Sequence, residues 1–380
     1  MSQPESRGLS VDVTPKVSLI VPCRNEREHI ATCLASTLNQ IEPEGGFEVI
    51  IADGISNDGT REILARLEKE INAHRTTVGG PVLRVINNPG LIVSKGLNAA
   101  IRVARGGIIV RLDAHTDYAP DYVKECIAAL EDTGADNVGG PWVAQGDTYF
   151  SRAIAAAFQS PFAVGGARAH DANYAGLVDT TYLGCWPKAT FERFGLFDEE
   201  LVRNQDDEHN LRITRGGGKV YQSPRIRSWY RPRGSFGTLF KQYMQYGYWK
   251  VRVIQKHKLP ASWRHLVPGV FLLALLVLAV LSVLCILSSF LAPAAHFSFQ
   301  LSGSSLYTVW LLLGLLGFYC LCVFAASIKT AWKTGWKLLP ALVLVFPCYH
   351  FGYGYGFLLG VLDFVIRRRR PKATFAHLTR

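Results

Sequence analysis

The sequence lacks the patterns that mark several common classes of protein. Its eight cysteines include no C-x-x-C pair and no dense framework, which argues against a disulfide-stabilised fold or a zinc site and fits reduced thiols. No G-x-G-x-x-G motif follows any strand predicted below, which argues against a dinucleotide-dependent oxidoreductase. The first 16 residues contain no apolar run, so we expect no cleavable signal peptide and a cytosolic amino-terminal domain.

Charged residues are absent from two long stretches near the carboxyl end. Residues 266–291 and 306–326 contain no Lys, Arg, Asp or Glu, and each stretch is long enough to cross a bilayer as a helix. A third apolar stretch, residues 338–366, is interrupted by Pro340, Pro347, four glycines and Asp363. We therefore predict an integral membrane protein.

Basic residues exceed acidic ones, with a net charge of +11. Many of them lie beside the apolar stretches, so we expect them to face anionic lipid and predict no nucleic-acid partner. Those before the first and after the last stretch are Lys241, Lys250, Arg252, Lys256, Lys258 and Arg264, and Arg367, Arg368, Arg369 and Arg370.

The positive-inside rule leaves the third apolar stretch ambiguous. Lys329, Lys333 and Lys337 follow the second stretch, whereas residues 292–305 contain no Lys or Arg, so both flanks of this pair are predicted to be cytosolic. A third full crossing would place residues 367–370 on the opposite side, against the rule. We favour three membrane segments, at about 266–291, 306–326 and 338–366, and leave the side of the carboxyl-terminal tail open. The alternative is that the third stretch is a re-entrant or interfacial segment.

The first 115 residues alternate apolar runs with helical patterns. This alternation predicts an α/β fold with a mainly parallel sheet. The predicted strands are residues 17–22, 47–52, 82–86 and 108–112.

Polar side chains follow three of these strands. Asn25 and Glu26 follow the first, Asp53 the second, and Asp113 and His115 the fourth. Ligands of open α/β sheets collect at the carboxyl ends of the strands, and a carboxylate and an imidazole two residues apart can share a divalent cation. The alternative is that Asp113 closes a turn and His115 is a surface residue.

The loop after the second strand also contains Asp58 and Thr60. Asp and Thr often close local turns at the start of a helix, and we interpret both residues in this way. For Asp53 we favour a role in binding a ligand.

Three consecutive acids, Asp206, Asp207 and Glu208, open a predicted helix that ends at Gly216. Acids are favoured at a helix start by the macrodipole, which is enough to explain one or two of them. A third adjacent acid favours a catalytic base.

Three motifs in order, Val-Pro-Cys-Arg-Asn-Glu, Asp-Gly-Ile-Ser-Asn-Asp-Gly-Thr and Leu-Asp-Ala-His, resemble the family 2 glycosyltransferases, which have the GT-A fold. Within that family the sequence resembles the ExoA-type glucosyltransferases of succinoglycan and related exopolysaccharide assembly, which share the Asp-Ala-His variant. The resemblance implies a mixed, mainly parallel sheet that binds a nucleotide sugar, followed by an α-helical membrane domain.

The resemblance also implies roles for the polar residues at the strand ends. Pro22, Asn25 and Glu26 would border the nucleotide, and Asp53 would bind uracil or its ribose. Asp113 and His115 would hold Mg²⁺ or Mn²⁺ on the diphosphate, with His115 where the family usually has Asp.

In the second half of the chain, the family's E-D motif falls on Gln205 and Asp206. This alignment makes Asp206 the expected base, with Asp207 as the alternative. Arg231 and Arg233 would meet the diphosphate or flank the membrane.

A second motif of the family, Q-x-x-R-W, falls on residues 245–249. Gln245 and Trp249 would face the acceptor or the membrane interface. Tyr248 replaces the Arg that processive synthases carry, which disfavours a polymerase.

We therefore expect a glycosyltransferase domain (1–235), an amphipathic interfacial helix (236–262) and a membrane domain (263–380). The expected enzyme is multi-pass in the cytoplasmic membrane and moves one sugar, glucose, from a UDP-sugar to a polyprenyl-diphosphate-linked saccharide with inversion. The alternatives are a processive polysaccharide synthase and a non-catalytic scaffold that senses UDP-sugar.

Overall fold

A computed structural model of the protein describes residues 14–78, 80–232, 234–260, 262–291 and 303–376. Its strands are β1 (Val17–Cys23), β2 (Phe47–Asp53), β3 (Val82–Asn87), β4 (Ile108–Arg111), β5 (Thr116–Tyr118), β6 (Asn137–Gly140), β7 (Val143–Ala144), β8 (Gly176–Leu177), β9 (Tyr182–Pro187), β10 (Val220–Gln222) and β11 (Ser228–Tyr230).

The described residues form thirteen α-helices, five of which follow the last strand. In chain order they are α1 (Ile30–Leu38), α2 (Thr60–Val78), α3 (Val93–Val103), α4 (Tyr122–Thr133), α5 (Tyr149–Phe158), α6 (Pro161–Val164), α7 (Lys188–Phe194), α8 (Gln205–Arg215), α9 (Phe236–His257), α10 (Val267–Leu291), α11 (Gly303–Thr334), α12 (Leu339–Gly360) and α13 (Ala373–Ala376). A π-helical turn, Val361–Ile366, extends α12.

The described residues divide into two compact units. Unit 1 contains the residues up to Gly139 together with Leu183–Leu196, and unit 2 contains Gly140–Tyr182 together with the residues from Phe197 onward. The domain boundaries expected at residues 235 and 262 remain predictions. Within unit 2, α9 packs along α12.

At the centre of unit 1 lie β1 and β2, whose valine, leucine and isoleucine residues are completely buried, as expected for strands that are covered on both faces. The strand order is β3-β2-β1-β4-β9, in which β1 pairs in parallel with β2 and β4, β2 with β3, and β9 runs antiparallel to β4. The register pairs Cys23 with Asp53 and Asp53 with Asn87. The carboxyl ends of β1, β2 and β3 therefore lie level, and the predicted mixed, mainly parallel sheet is confirmed.

Unit 2 has a hydrophobic core that joins α5 and α9 to α11 and α12. Small residues let these helices approach closely: a Cβ atom at Gly247 of α9 would lie 2.0 Å from the carbonyl oxygen of Tyr353, and one at Gly356 of α12 would lie 1.9 Å from that of Met244. The core includes Ala153, Ile154, Leu239, Val323, Ala331, Leu342, Val345, Phe346 and Tyr349.

Three helices are long and apolar enough to cross a membrane, which confirms the prediction of candidate membrane helices. They span Trp263–Ser288, Leu306–Thr334 and Trp336–Ile366. The prolines of the third do not divide it. Pro340 lies in the first turn, where its missing N–H is not needed, and Pro347 is accommodated inside α12.

Candidate functional site

Hydrogen bonds fasten the loop after β1 to the loop after β2. The backbone N–H of Asn25 donates to Ser56 Oγ (2.8 Å), and that of Asn57 donates back to Asn25 Oδ1 (3.0 Å). The N–H of Glu26 donates to Thr60 Oγ1 (2.9 Å). These contacts fix the backbone at the edge of the sheet before any ligand binds.

Asp58 and Thr60 have the local roles that their sequence predicts. Asp58 Oδ1 accepts hydrogen bonds from the Thr60 backbone N–H (3.1 Å) and hydroxyl (2.6 Å), at the start of α2. The N–H of Arg27 donates to the other oxygen of Asp58. The local interpretation of both residues is thus confirmed.

Asp53 ends β2 as a buried carboxylate, with 1 % of its surface exposed. Ser56 donates to it through its hydroxyl (2.5 Å) and its backbone N–H (3.2 and 3.3 Å). Arg61 Nη1 lies 3.7 Å from Oδ2. A nucleotide would therefore reach this carboxylate only by sharing or displacing the contacts of Ser56 and Arg61.

Asp113 follows β4 and forms a two-point ion pair with Arg111. Arg111 donates from Nε to Oδ1 (3.0 Å) and from Nη2 to Oδ2 (3.1 Å). The backbone N–H of Asp113 donates to the hydroxyl of Tyr118 (2.6 Å), which donates to the Asp113 carbonyl (3.1 Å). Both the side chain and the backbone of Asp113 are thereby oriented.

His115 lies beside Glu26, with 3.9 Å between Nδ1 and Glu26 Oε1. The imidazole that follows β4 thus lies beside a carboxylate in the loop after β1. Unit 1 collects Pro22, Asn25, Glu26 and Asp53 on the loops after β1 and β2, and Asp113 and His115 on the segment after β4, as the sequence predicts for one sheet edge.

The donor chemistry of Asp113 and His115 fits a divalent cation that also binds phosphate. Within the described ranges, no group of three or more His, Cys, Asp and Glu side chains is placed to hold a metal ion alone. Mg²⁺ is commonly held by one or two carboxylates with substrate phosphates as further ligands, and imidazole suits the softer Mn²⁺. A carboxylate and an imidazole would therefore suffice if a diphosphate supplied the other ligands.

Two cysteines near this edge are protonated thiols. Burial, with Asp53 and Glu26 nearby, raises the pKa of the Cys23 thiol, and burial raises that of Cys33 to about 12. Neither can act as a thiolate nucleophile near neutral pH.

In unit 2, the three acids that open α8 have different partners. Asp207 Oδ2 accepts a hydrogen bond from Lys250 Nζ at 2.6 Å. Glu208 accepts from Arg212 (2.9 and 3.0 Å), and its Oε1 lies 2.9 Å from His257 Nε2. Asp206 Oδ1 accepts the backbone N–H of Asp207 (2.9 Å).

The Lys250 contact sets the protonation state of Asp207. Burial alone would raise the pKa of this carboxyl, but Lys250 and the Thr180 hydroxyl together hold it below its usual range. Asp207 is therefore ionised and bound in an ion pair, which makes it a weak proton acceptor.

Gln245 and Trp249 are buried in α9. Gln245 Oε1 accepts from Arg203 Nε (3.2 Å), and Trp249 Nε1 donates to the carbonyl of Phe375 (3.1 Å). Both side chains are thus bound to other parts of unit 2. Arg231 is half-exposed, and its Nη1 lies 3.8 Å from Asp147 Oδ2. Arg233 lies outside the described residues.

Three residues that contribute to these arrangements were missed in the sequence. They are Arg111, Ser56 and Lys250. Arg111 and Ser56 lie within three residues of a predicted ligand, so their proximity was a usable signal. Lys250 was expected to face anionic lipid, and this expectation is wrong because its side chain is buried against Asp207. The two residues are 43 positions apart, and nothing in the sequence links them.

Comparison with known proteins agrees with the motifs. Residues 18–184 match the family described as Glycosyl transferase family 2. The succinoglycan biosynthesis protein ExoA of Rhizobium meliloti is 29 % identical over 337 residues, which are 87 % of this chain and 97 % of ExoA.

A second relative, from Methanococcus voltae, is a dolichyl N-acetyl-alpha-D-glucosaminyl phosphate 3-beta-D-2,3-diacetamido-2,3-dideoxy-beta-D-glucuronosyltransferase. It is 26 % identical over 352 residues, which are 91 % of this chain and 97 % of that protein.

Among solved structures, the mannosyltransferase PcManGT from Pyrobaculum calidifontis, in complex with GDP-Man and Mn²⁺, superposes with a TM-score of 0.51. It is 19 % identical and covers 84 % of this chain and 88 % of its own. At this identity the likeness shows the fold alone. Residues 18–184 thus match a glycosyl transferase family 2 model, and the sheet has the GT-A-like fold that the sequence predicts.

Proposed function

We propose that the protein transfers a single glucose from a UDP-sugar to a polyprenyl-diphosphate-linked saccharide, with inversion, on the cytosolic face of the inner membrane. The observation that carries the proposal is the fixed edge of unit 1. There Glu26, Asp53, Asp113 and His115 follow three adjacent parallel strands inside a family 2 domain.

The donor nucleotide would bind along this edge. The loops after β1 and β2 are already joined by Asn25, Ser56 and Thr60, so little backbone ordering would oppose binding. Asp53 is the acceptor for the N–H of uracil or a ribose hydroxyl, a role supported by its place at the end of β2.

Asp113 and His115 would hold Mg²⁺ or Mn²⁺ against the diphosphate. The cation, when bound, neutralises charge that develops on the departing nucleoside diphosphate. Arg111 holds Asp113 in one orientation through its two hydrogen bonds. It also keeps a positive charge beside the phosphates.

Asp206 is the proposed base that accepts the proton of the acceptor hydroxyl as that oxygen attacks the anomeric carbon. Inversion requires this attack on the face opposite the leaving group. The two neighbouring acids are committed to cations, Asp207 to Lys250 and Glu208 to Arg212 and His257. The ion pair with Lys250 makes Asp207 a weak proton acceptor, which argues against Asp207 as the base.

A lipid-linked acceptor would explain why α8 belongs to the same unit as candidate membrane helices. The Methanococcus voltae relative is named for a dolichyl-linked sugar phosphate, and ExoA is named for succinoglycan biosynthesis. Both relatives match nearly their whole length, which supports exopolysaccharide assembly on a lipid carrier.

The experiment is a transfer assay with the full chain in detergent, radiolabelled UDP-glucose, Mn²⁺ or Mg²⁺, and polyprenyl-diphosphate-linked saccharides extracted from a strain that lacks the gene. The expected product is the acceptor lengthened by one hexose, with β stereochemistry from an α-linked donor. A ladder of products would indicate a processive synthase. UDP-sugar binding without UDP release on adding the acceptor would indicate a sensing scaffold, and either result would overturn the proposal.

A further inference from the structure

Both ends of α12 contact elements that precede the first membrane helix. In the turn just before it, the carbonyl of Lys337 accepts a hydrogen bond from the Tyr149 hydroxyl of α5 (3.0 Å). In the π-helical turn that extends it, Asp363 Oδ2 accepts from the Tyr248 hydroxyl of α9 (3.2 Å). The described residues between α5 and α9 include no helix able to cross a membrane, so α5 and α9 lie on one side of it.

Between its ends, α12 packs against successive turns of α9. A Cβ atom at Gly352 would lie 3.0 Å from the carbonyl oxygen of Phe240, and one at Gly360 would lie 2.7 Å from that of Tyr248. Eight residues along α12 thus correspond to eight along α9, so the two helices run side by side in the same direction. The middle of α12 also meets α5, where the Tyr349 hydroxyl donates to the carbonyl of Ile154 (3.1 Å).

The charge of α9 shows that this pair cannot lie across the hydrocarbon. In 22 residues α9 contains Lys241, Lys250, Arg252 and Lys256. Three of these cations pair with acids that precede α9 in the chain: Lys250 with Asp207, Arg252 with Glu200, and Lys256 with Asp198. Charged side chains are costly inside hydrocarbon, and these pairs hold α9 against the segment that contains α8. Because α12 lies alongside this helix, it shares the depth of a charged element.

Helices α10 and α11 differ from α12 in their exposure. In the most apolar part of α10, and likewise of α11, 11 % of the residues are buried. In the most apolar part of the third candidate span, which contains α12, 44 % are buried. Exposed tryptophans mark the two ends of α11, Trp332 at one end and Trp310 at the other. Their separation of 22 residues corresponds to about 33 Å of helix, close to the thickness of a hydrocarbon core.

We infer that α10 and α11 cross the membrane as a hairpin, while α12 lies at the membrane surface on the side of α5 and α9, with Arg367, Arg368, Arg369 and Arg370 against anionic lipid headgroups. These four arginines are exposed, as are Leu344 and Tyr355 of α12. With two crossings the arginine run obeys the positive-inside rule, which three crossings would break.

The segment after the arginines is fixed on the same side. Phe375 stacks on Tyr248 with 3.9 Å between ring centroids, and Lys372 Nζ lies 3.7 Å from Asp363. The chain therefore returns to α9 after the arginine run. The inference concerns membrane placement and stands whatever sugar the enzyme transfers.

The topology is tested with protease sites placed in the full chain before Met1, between residues 296 and 297, and after Arg380. Inner-membrane vesicles with the cytosolic face outward are treated with the protease, with a detergent-treated sample as the control for cleavability. We expect cleavage at both termini and protection between α10 and α11. Protection of the carboxyl-terminal site would show that α12 crosses, and cleavage of all three would show that the hairpin does not; both results overturn the inference.

The lipid contact is tested by the thermal stability of the purified chain in mixed micelles. Phosphatidylglycerol is expected to raise Tm by several degrees over phosphatidylcholine, and R367Q/R368Q/R369Q/R370Q is expected to lose at least half of that rise. The matched control, R66Q/K69Q/R102Q/K124Q, removes four exposed charges from unit 1 and should keep it. An equal loss in both variants, or no loss in the first, would overturn the assignment of the arginine run.

Discussion

Lys250 Nζ lies 2.6 Å from Asp207 Oδ2, which ties the middle of α9 to the first turn of α8. Lys250 is 6 % exposed, whereas Asp207 retains 30 %. The contact fixes the helix that presents Asp206 and neutralises the acid beside it. Its consequences can be measured separately for stability and for catalysis.

Lys250→Met is expected to destabilise the protein by about 2–3 kcal/mol, somewhat less than the loss of a fully buried partner, because Asp207 is partly solvated. D207N/K250M should recover part of this loss, since no uncompensated charge remains. Thermal unfolding of the purified variants measures both effects. Equal stability of K250M and the wild type would contradict the ion pair.

The stability that Asp207 contributes is expected to depend on acid pH. Its pKa is lowered in the folded state, so its contribution is present above the ordinary carboxyl pKa of about 4 and is lost as the pH falls through the folded-state value. The difference in unfolding free energy between the wild type and D207N should therefore be constant at neutral pH and shrink below about pH 4. A difference that grows in this range would have the wrong sign for a lowered pKa.

Asp206→Asn is expected to reduce kcat by about 10²–10⁴-fold, because a positioned base is lost. Asp207→Asn, its matched neighbour, should retain most of the activity, and UDP-sugar affinity should be unchanged in both. Single-turnover transfer and isothermal titration with UDP check the two halves of this prediction. If D207N loses activity and D206N keeps it, the roles of the two acids are reversed.

His115→Asp is expected to shift the metal preference from Mn²⁺ toward Mg²⁺, because a carboxylate replaces an imidazole beside Asp113. His115→Ala is the control that removes a ligand without supplying another. Titration of each metal in the presence of UDP measures the preference independently of turnover. Identical metal affinities for all three proteins would exclude His115 as a ligand.

Asp113→Ala should lose metal-dependent UDP binding and transfer while the protein stays folded.

Ser56→Ala is expected to weaken UDP binding and lower stability by about 1–3 kcal/mol. The hydroxyl donates to the buried Asp53 and accepts from Asn25, so its loss leaves both groups without that partner. Ser36→Ala in α1 removes a hydroxyl without these contacts and serves as the control. Thermal unfolding and UDP titration measure the two effects. Equal stabilities and equal UDP affinities of the two variants would contradict the prediction.

The sheet edge could be predicted from the sequence because parallel strands end at one edge, so Asp53, Asp113 and His115 had to share it. The pairing of Arg111 with Asp113 was within reach of the same reasoning, because residues two positions apart along an extended segment point to the same face. Partners distant in the chain, such as Lys250 and Asp207, depend on tertiary packing alone. The packing of the third apolar stretch could not be predicted for the same reason. Hydropathy reports composition, and it does not show that α9 covers Gly352 and Gly356.

The hydrogen bond between Tyr349 and Ile154 joins residues that are 195 positions apart. At roughly 5–20 residues per second, a ribosome needs about 10–40 s to synthesise the chain between them. During that interval the apolar face of α5, with Ala153, Ile154 and Ala157, has no α12 to cover it. The nascent chain must therefore keep this face from aggregating until α12 has been synthesised, and a chain truncated before α12 would leave it uncovered permanently.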